Sequence, residues 1–200
     1  MKYAVSVVLR FPSGAAPSKL SWLPCRRAFV SLAFAVAIAG VLMSLGIHIN
    51  LSASAPRGLY RAVVGTPLRG AWVAACVPTD AAAVGLARGY LRPGPCPGGA
   101  EPILKPVVAV SGDVVDLSPH SVAVNGTSLP DSQSASIDSN GRPLAHATPG
   151  RHVVGADQLW LVSTRVPNSW DSRYLGPFSM SDVRAIARPV WAFESSGWRR

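Results

Sequence analysis

Residues 103–126, ILKPVVAVSGDVVDLSPHSVAVNG, break into three short valine-rich runs, Ile103–Val110, Asp113–Leu117 and Ser121–Val124, with turn residues between them. Runs of this length rich in β-branched residues and bounded by Gly, Pro and Asn read as strands. Asn125-Gly126, followed by Ser128-Leu129, reads as a tight hairpin turn. Working outward, the same grammar predicts strands over Gly58–Val64, Ala71–Val77, Gln158–Ser163 and Ala187–Phe193, punctuated by a chain that holds 18 Gly and 18 Pro. One short helix interrupts the pattern: Thr79-Asp80 can cap it, Ala81–Arg88 can form it and Gly89 can close it. The polar stretch Asp131–Gly150 is expected to be a surface loop.

Upstream of this β-rich part lies AFVSLAFAVAIAGVLMSLGIHI, Ala28–Ile49, with no charged residue. As a helix this run would span about 33 Å, the thickness of a bilayer core. A buried core helix would carry a polar stripe, whereas only Ser31, Ser44 and His48 interrupt the run. Arg26-Arg27 and three earlier cations flank it on one side, so the positive-inside rule places residues 1–27 in the cytoplasm, 28–49 in the membrane and 50–200 outside. Ala53-Ser54-Ala55 reads like a signal-peptide cleavage motif, but the apolar run exceeds the roughly 7–15 residues of such a signal. An uncleaved anchor is the expectation.

The net charge of +9 invites a nucleic-acid reading, which its distribution disfavours. Five of the 19 basic residues precede the apolar run without an acid among them, and the later arginines are scattered rather than interleaved with aromatics. Two of the three cysteines, Cys76 and Cys96, fall on the exported side, where they make one possible disulfide or two free thiols. Neither lies at zinc-ligand spacing, so no metal is expected.

Three elements carry chemistry. The first is Asn50-Leu-Ser52-Ala-Ser54-Ala-Pro56-Arg-Gly58-Leu-Tyr60. It is either an ordinary linker leaving the membrane or a nucleophile at the membrane surface, with Pro56 and Gly58 fixing a turn that presents the Ser54 hydroxyl. A serine needs a base. His120, His146 and His152 sit in or beside predicted turns at no triad spacing, and arginine cannot serve as a base. The second element is Lys105, the only lysine after the apolar run, which strand alternation places on one face with Ile103 and Val107. Burial there would lower its pKa. The same residue reads equally as a gatekeeper lysine on an edge strand beside Pro106. The third is Asn168-Ser169-Trp170-Asp171-Ser172-Arg173-Tyr174-Leu-Gly176-Pro177. If extended, it puts Ser169, Asp171 and Arg173 on one face, as a site or as a structural ion pair.

SxSxPxGLY beyond a signal anchor, a lone lysine in an apolar strand and SxDSRYxGP near the C-terminus together resemble the serine-lysine signal peptidase family, and more narrowly its TraF-type conjugative transfer peptidases. The likeness runs from Gly46 to about Val190 and includes CPGG at Cys96–Gly99 and NGxxLP at Asn125–Pro130. It implies a mainly β fold: an antiparallel, signal-peptidase-like catalytic domain behind a single N-terminal transmembrane helix, in a bacterial inner membrane with the domain in the periplasm. It also implies Ser54 as nucleophile, Lys105 as general base and Asp171 in a role that is either tuning or structural. Ser169 and Arg173 would support the site, and the Ser54 N–H and Ser52 hydroxyl would hold the oxyanion.

The implied reaction is acyl transfer from an exported precursor protein, foremost a conjugative pilin, to water or to an amine that closes a ring. No cofactor is implied, and conjugative secretion machinery is a possible partner. General type I signal peptidases carry GDN before the DSR motif, where this chain has Arg165-Val-Pro-Asn168, so a general leader peptidase is the alternative. A non-catalytic, membrane-anchored assembly factor is the second.

Overall fold

The computed structural model describes residues 23–166 and 168–193, with the side chains of the first helix described over 28–38 and 40–44. The expected cytoplasmic segment lies outside the described residues up to position 22. The chain divides into two units, Met1–Val41 and Leu42–Arg200. In the first, helix α1 (Leu23–Ser44) begins and exposes Phe29, Val30, Leu32, Phe34, Val36 and Ile38 all the way round its axis. Among the described residues no helix is long and apolar enough to cross a membrane. The described side chains of α1 fall into the two runs just given, so the span expected over 28–49 rests on the sequence.

The apolar run is not helical to its end. The helix stops at Ser44, Gly46 turns at positive φ with its N–H on the Met43 carbonyl, and Ile47–Asn50 becomes strand β1. Hydropathy cannot separate Ile-His-Ile from helix, but a neighbouring strand can. β1 pairs antiparallel with β2 (Gly58–Val63), His48 facing Tyr60.

Each expected strand has a counterpart, the first five being β2, β3 (Trp72–Ala75), β4 (Ile103–Val110), β5 (Val114–Leu117) and β6 (Val122–Val124), and the last two, over 158–163 and 187–193, being β9 and β11 below. β7 (Thr127–Ser128) closes the Asn125-Gly126 hairpin, in which both residues have positive φ. β8 (Gly150–Val153), β9 (Gln158–Leu161), β10 (Phe178–Ser179) and β11 (Val183–Ala192) follow. Helix α2 (Thr79–Ala87) sits where expected, although its N-cap is Pro78 and no side chain caps it. A second short helix, α3 (Ser172–Leu175), was not expected.

Among the described residues the strands form a seven-stranded sheet, β1-β2-β11-β3-β4-β9-β10, and a four-stranded one, β7-β6-β5-β8, antiparallel throughout. β9 belongs to two cores: Leu159 and Leu161 pack with Val73, Val107 and Phe178, while Trp160 packs with Val115, Leu117 and Val122. A strand buried on both faces must be apolar throughout, which is why Leu-Trp-Leu-Val does not alternate. A third core joins Ala55 of the serine turn to Tyr60, Trp72, Ala187 and Leu104. The polar stretch 131–150 is irregular, yet it is pinned rather than free: buried Asp138 accepts from Tyr90 and Arg142, and the Ala135 N–H donates to the Tyr174 hydroxyl. Cys76 and Cys96 form a disulfide, which resolves the open choice between bridge and thiols.

Candidate active site

The serine turn is organised by Asn50, the last residue of β1. Its Oδ1 accepts the Ser52 N–H at 3.1 Å and the Ser52 hydroxyl at 2.8 Å. Its Nδ2 donates to the carbonyls of Ser52, Ala55 and Pro56 at 3.3, 3.3 and 3.0 Å. One amide thus satisfies a turn that has no ladder of its own. The Tyr60 hydroxyl donates to the Pro56 carbonyl at 2.7 Å, and burial pushes this phenol's pKa up. Gly58 then lets the chain enter β2 against β11, because a Cβ there would lie 2.1 Å from the Trp191 carbonyl oxygen. Half-buried Ser54 stands on this turn with its Oγ 3.4 Å from the Ser52 Oγ.

Lys105 lies in β4, not on an edge. It pairs with Val73 of β3, and β9 flanks β4 on the other side. Val73, Ile103 and Val107 share one core, so the expected grouping of Lys105 with Ile103 and Val107 holds and the gatekeeper reading falls. The lysine is 5% exposed, and its Nζ donates to the Ser169 Oγ at 2.7 Å. Burial lowers its pKa to about 8; the Arg173 charge adds to that effect and the Asp171 charge opposes it.

The third element is a capped helical turn rather than the extended run considered above. Asp171 is extended and caps α3 by accepting the Arg173 N–H, and within that turn Arg173 folds back onto the Asp171 carboxylate. The pair is bidentate, Nε to Oδ1 and Nη2 to Oδ2 at 2.9 Å each, and both residues are 0% exposed. The guanidinium also donates to the carbonyls of Ser163, Ser169 and Gln133 at 2.9, 3.1 and 2.8 Å. Asp171 has no hydrogen bond to Lys105; it holds the arginine that holds the Ser169 backbone.

The structure therefore brings Lys105, Ser169, Asp171 and Arg173 into one network and ties Ser54 to it through its carbonyl. That tie is Ser163, whose hydroxyl donates to the Ser54 carbonyl at 2.6 Å and whose N–H donates to Asp171 Oδ2 at 2.9 Å. Ser54 Oγ and Lys105 Nζ are not hydrogen-bonded to each other here. Of the two oxyanion candidates, the Ser54 N–H meets no acceptor among the described residues, whereas the Ser52 hydroxyl is committed to Asn50. Sequence reasoning missed Asn50, Tyr60 and Ser163. Nothing in the one-dimensional pattern separates Ser163 from other serines at strand ends, because its partner is 109 positions away.

None of His120, His146 and His152 is hydrogen-bonded to Ser54, Lys105, Ser169, Asp171 or Arg173. His120 and His146 are exposed, and His146 and His152 engage the carbonyls of Ala135 and Thr148.

A profile described as signal peptidase, peptidase S26, matches residues 22–192. A conjugal transfer protein TraF of Agrobacterium tumefaciens is 39% identical over 168 residues, covering 82% of this chain and 90% of that protein. A plasmid transfer protein TraF of Escherichia coli is 34% identical over 161 residues, covering 78% and 89%. Among solved structures, a signal peptidase I of Enterococcus faecalis aligns over 62% of this chain and 98% of its own, at 18% identity and a TM-score of 0.36.

Proposed function

The chain belongs to the signal peptidase S26 family, and on that premise we propose that it is a membrane-anchored serine endopeptidase with Ser54 as nucleophile and Lys105 as general base. The observation that carries this reading is the buried lysine. At a pKa of about 8, about one molecule in ten holds Lys105 neutral at pH 7, against roughly one in three thousand for an ordinary lysine.

In the proposed reaction Lys105 takes the Ser54 hydroxyl proton as Oγ attacks the scissile carbonyl. The Ser54 N–H steadies the oxyanion, and the lysinium returns its proton to the leaving amine. Water, or an amine held in the site, then resolves the acyl-enzyme. The bond between Lys105 and Ser169 holds the ammonium end in place, and a direct bond to Ser54 would form as substrate is bound, when such contacts tighten.

The relatives named for conjugal and plasmid transfer support a precursor of a transfer apparatus as substrate, and the resemblance set out above makes a pilin the first candidate. The uncharged apolar stretch Ala28–Ile49 directly after Arg26-Arg27 in the sequence supports a single-pass anchor, with the domain on the periplasmic side. Exposed Ile49, Leu51, Trp191 and Phe193 of the second unit support a domain seated against lipid.

The test is co-expression of the pilin precursor with wild type, Ser54→Ala and Lys105→Ala, followed by the intact mass of the pilin. Wild type shortens the precursor and both variants leave it whole; a product one water lighter marks cyclisation. Normal processing by either variant would overturn the assignment and leave a non-catalytic assembly factor as the better account.

A further inference from the structure

The nucleophile turn and the base come from segments far apart in the chain, so something must hold one against the other. Ser163 is 0% exposed, and each of its polar groups is used. Its N–H donates to Asp171 Oδ2 at 2.9 Å, its carbonyl accepts Arg173 Nη2 at 2.9 Å, and its hydroxyl donates to the Ser54 carbonyl at 2.6 Å. Immediately before it, the Val162 N–H donates to the carbonyl of Pro106, the neighbour of Lys105. Ser163 is therefore clamped to the buried ion pair and to the nucleophile's own peptide, and the residue before it to the strand that carries the base.

We propose that Ser163 is a positioning residue for the nucleophile: its hydroxyl fixes the Ser54 carbonyl, and with it the rotation that sets where the Ser54 Oγ and N–H point. This rests on the reading of Ser54 and Lys105 as nucleophile and base. It gives two serines separate tasks. Ser169 binds the amine of Lys105, whereas the Ser163 hydroxyl makes no hydrogen bond to it and reaches the serine turn instead. It also gives Asp171 a path to the nucleophile, through the Ser163 N–H, that does not pass through the lysine. Ser163→Ala leaves the Ser54 carbonyl without its donor, so that the orientation of this peptide is held only through the Asn50 and Tyr60 bonds on either side of it. A displacement of about 1 Å at a reacting group costs up to roughly 100-fold in rate.

The test uses the full chain in detergent micelles and a peptide p-nitrophenyl ester ending in alanine as acylating probe, with release of p-nitrophenolate followed against pH and the adduct located by mass spectrometry. Wild type is acylated at Ser54 with a rate that rises through pH 8, and Ser54→Ala is inert. Ser163→Ala is slowed ~10- to 100-fold with the midpoint of its pH profile unmoved, and Ser163→Cys, nearly isosteric with a weak S–H donor, falls between the two. Ser163→Ala at the wild-type rate overturns the proposal, and so does a slowed variant whose midpoint shifts, since that residue would act through Lys105. Should Ser163→Ala fail to fold, Ser163→Cys decides by the same two criteria. If Ser54→Ala is labelled as fast as wild type, the nucleophile assignment itself falls and takes the role of Ser163 with it.

Discussion

Replacing Lys105 with methionine should destroy activity and stabilise the fold at neutral pH. The lysine's pKa is lowered from 10.5 to about 8, which amounts to roughly 3 kcal/mol of disfavoured charging in the folded state. Below pH 8 both folded and unfolded lysines are protonated, and the fold bears the whole cost. Between about pH 8 and 10.5 the unfolded chain holds the proton while the folded one has released it, so stability rises with pH, and above that range the cost is gone.

Methionine removes the titration and fills a similar volume. It also strips the Ser169 hydroxyl of its partner, a loss of about 1 kcal/mol. A net gain of about 2 kcal/mol at pH 7 remains, equivalent to roughly 4–8 °C in melting temperature for a chain of this size. Near pH 10 the gain should vanish. Thermal melts of wild type and Lys105→Met in the same micelles at pH 7, 8.5 and 10 measure this directly. A variant that melts below wild type at pH 7, or a difference that does not shrink toward pH 10, would refute the claim that the site holds its lysine at an energetic cost.

Asp171→Asn removes half of a bidentate pair whose members are both fully buried, so denaturant titration should show a loss of about 3–5 kcal/mol. Removing the arginine as well, in Asp171→Asn/Arg173→Met, should cost less than the sum of the single changes, as a double-mutant cycle would record. Cys76→Ser with Cys96→Ser opens a loop of sequence separation 20 and should lower stability by about 3 kcal/mol in the chain-entropy model, read from the same titration. Gly58→Ala drives a methyl into the Trp191 carbonyl. Hydrogen exchange should show loss of protection at Gly58, Leu59 and Ala192, where β2 meets β11.

The β class of this protein was legible because its strands obey local rules. The three runs of 103–126 became β4, β5 and β6, and Asn125-Gly126 made its hairpin, since turn chemistry and β-branching act over a few residues. The strands that were missed, β1, β8 and β10, are short segments with weak local signals, and they exist because a neighbouring strand offers a free edge: β2 for β1, β5 for β8 and β9 for β10. The same divide runs through the site. Residue chemistry made Ser54, Lys105 and Asp171 candidates one at a time, each with a structural reading beside it, and the resemblance of the three motifs together to the signal peptidase family gave them their roles. Tertiary structure alone decided which hydroxyl meets the lysine, which residue holds the nucleophile's carbonyl and that the ion pair supports both. Those bonds join positions 64 and 109 residues apart, a separation that only the packing of β4 against β9 and of the serine turn against Ser163 can close.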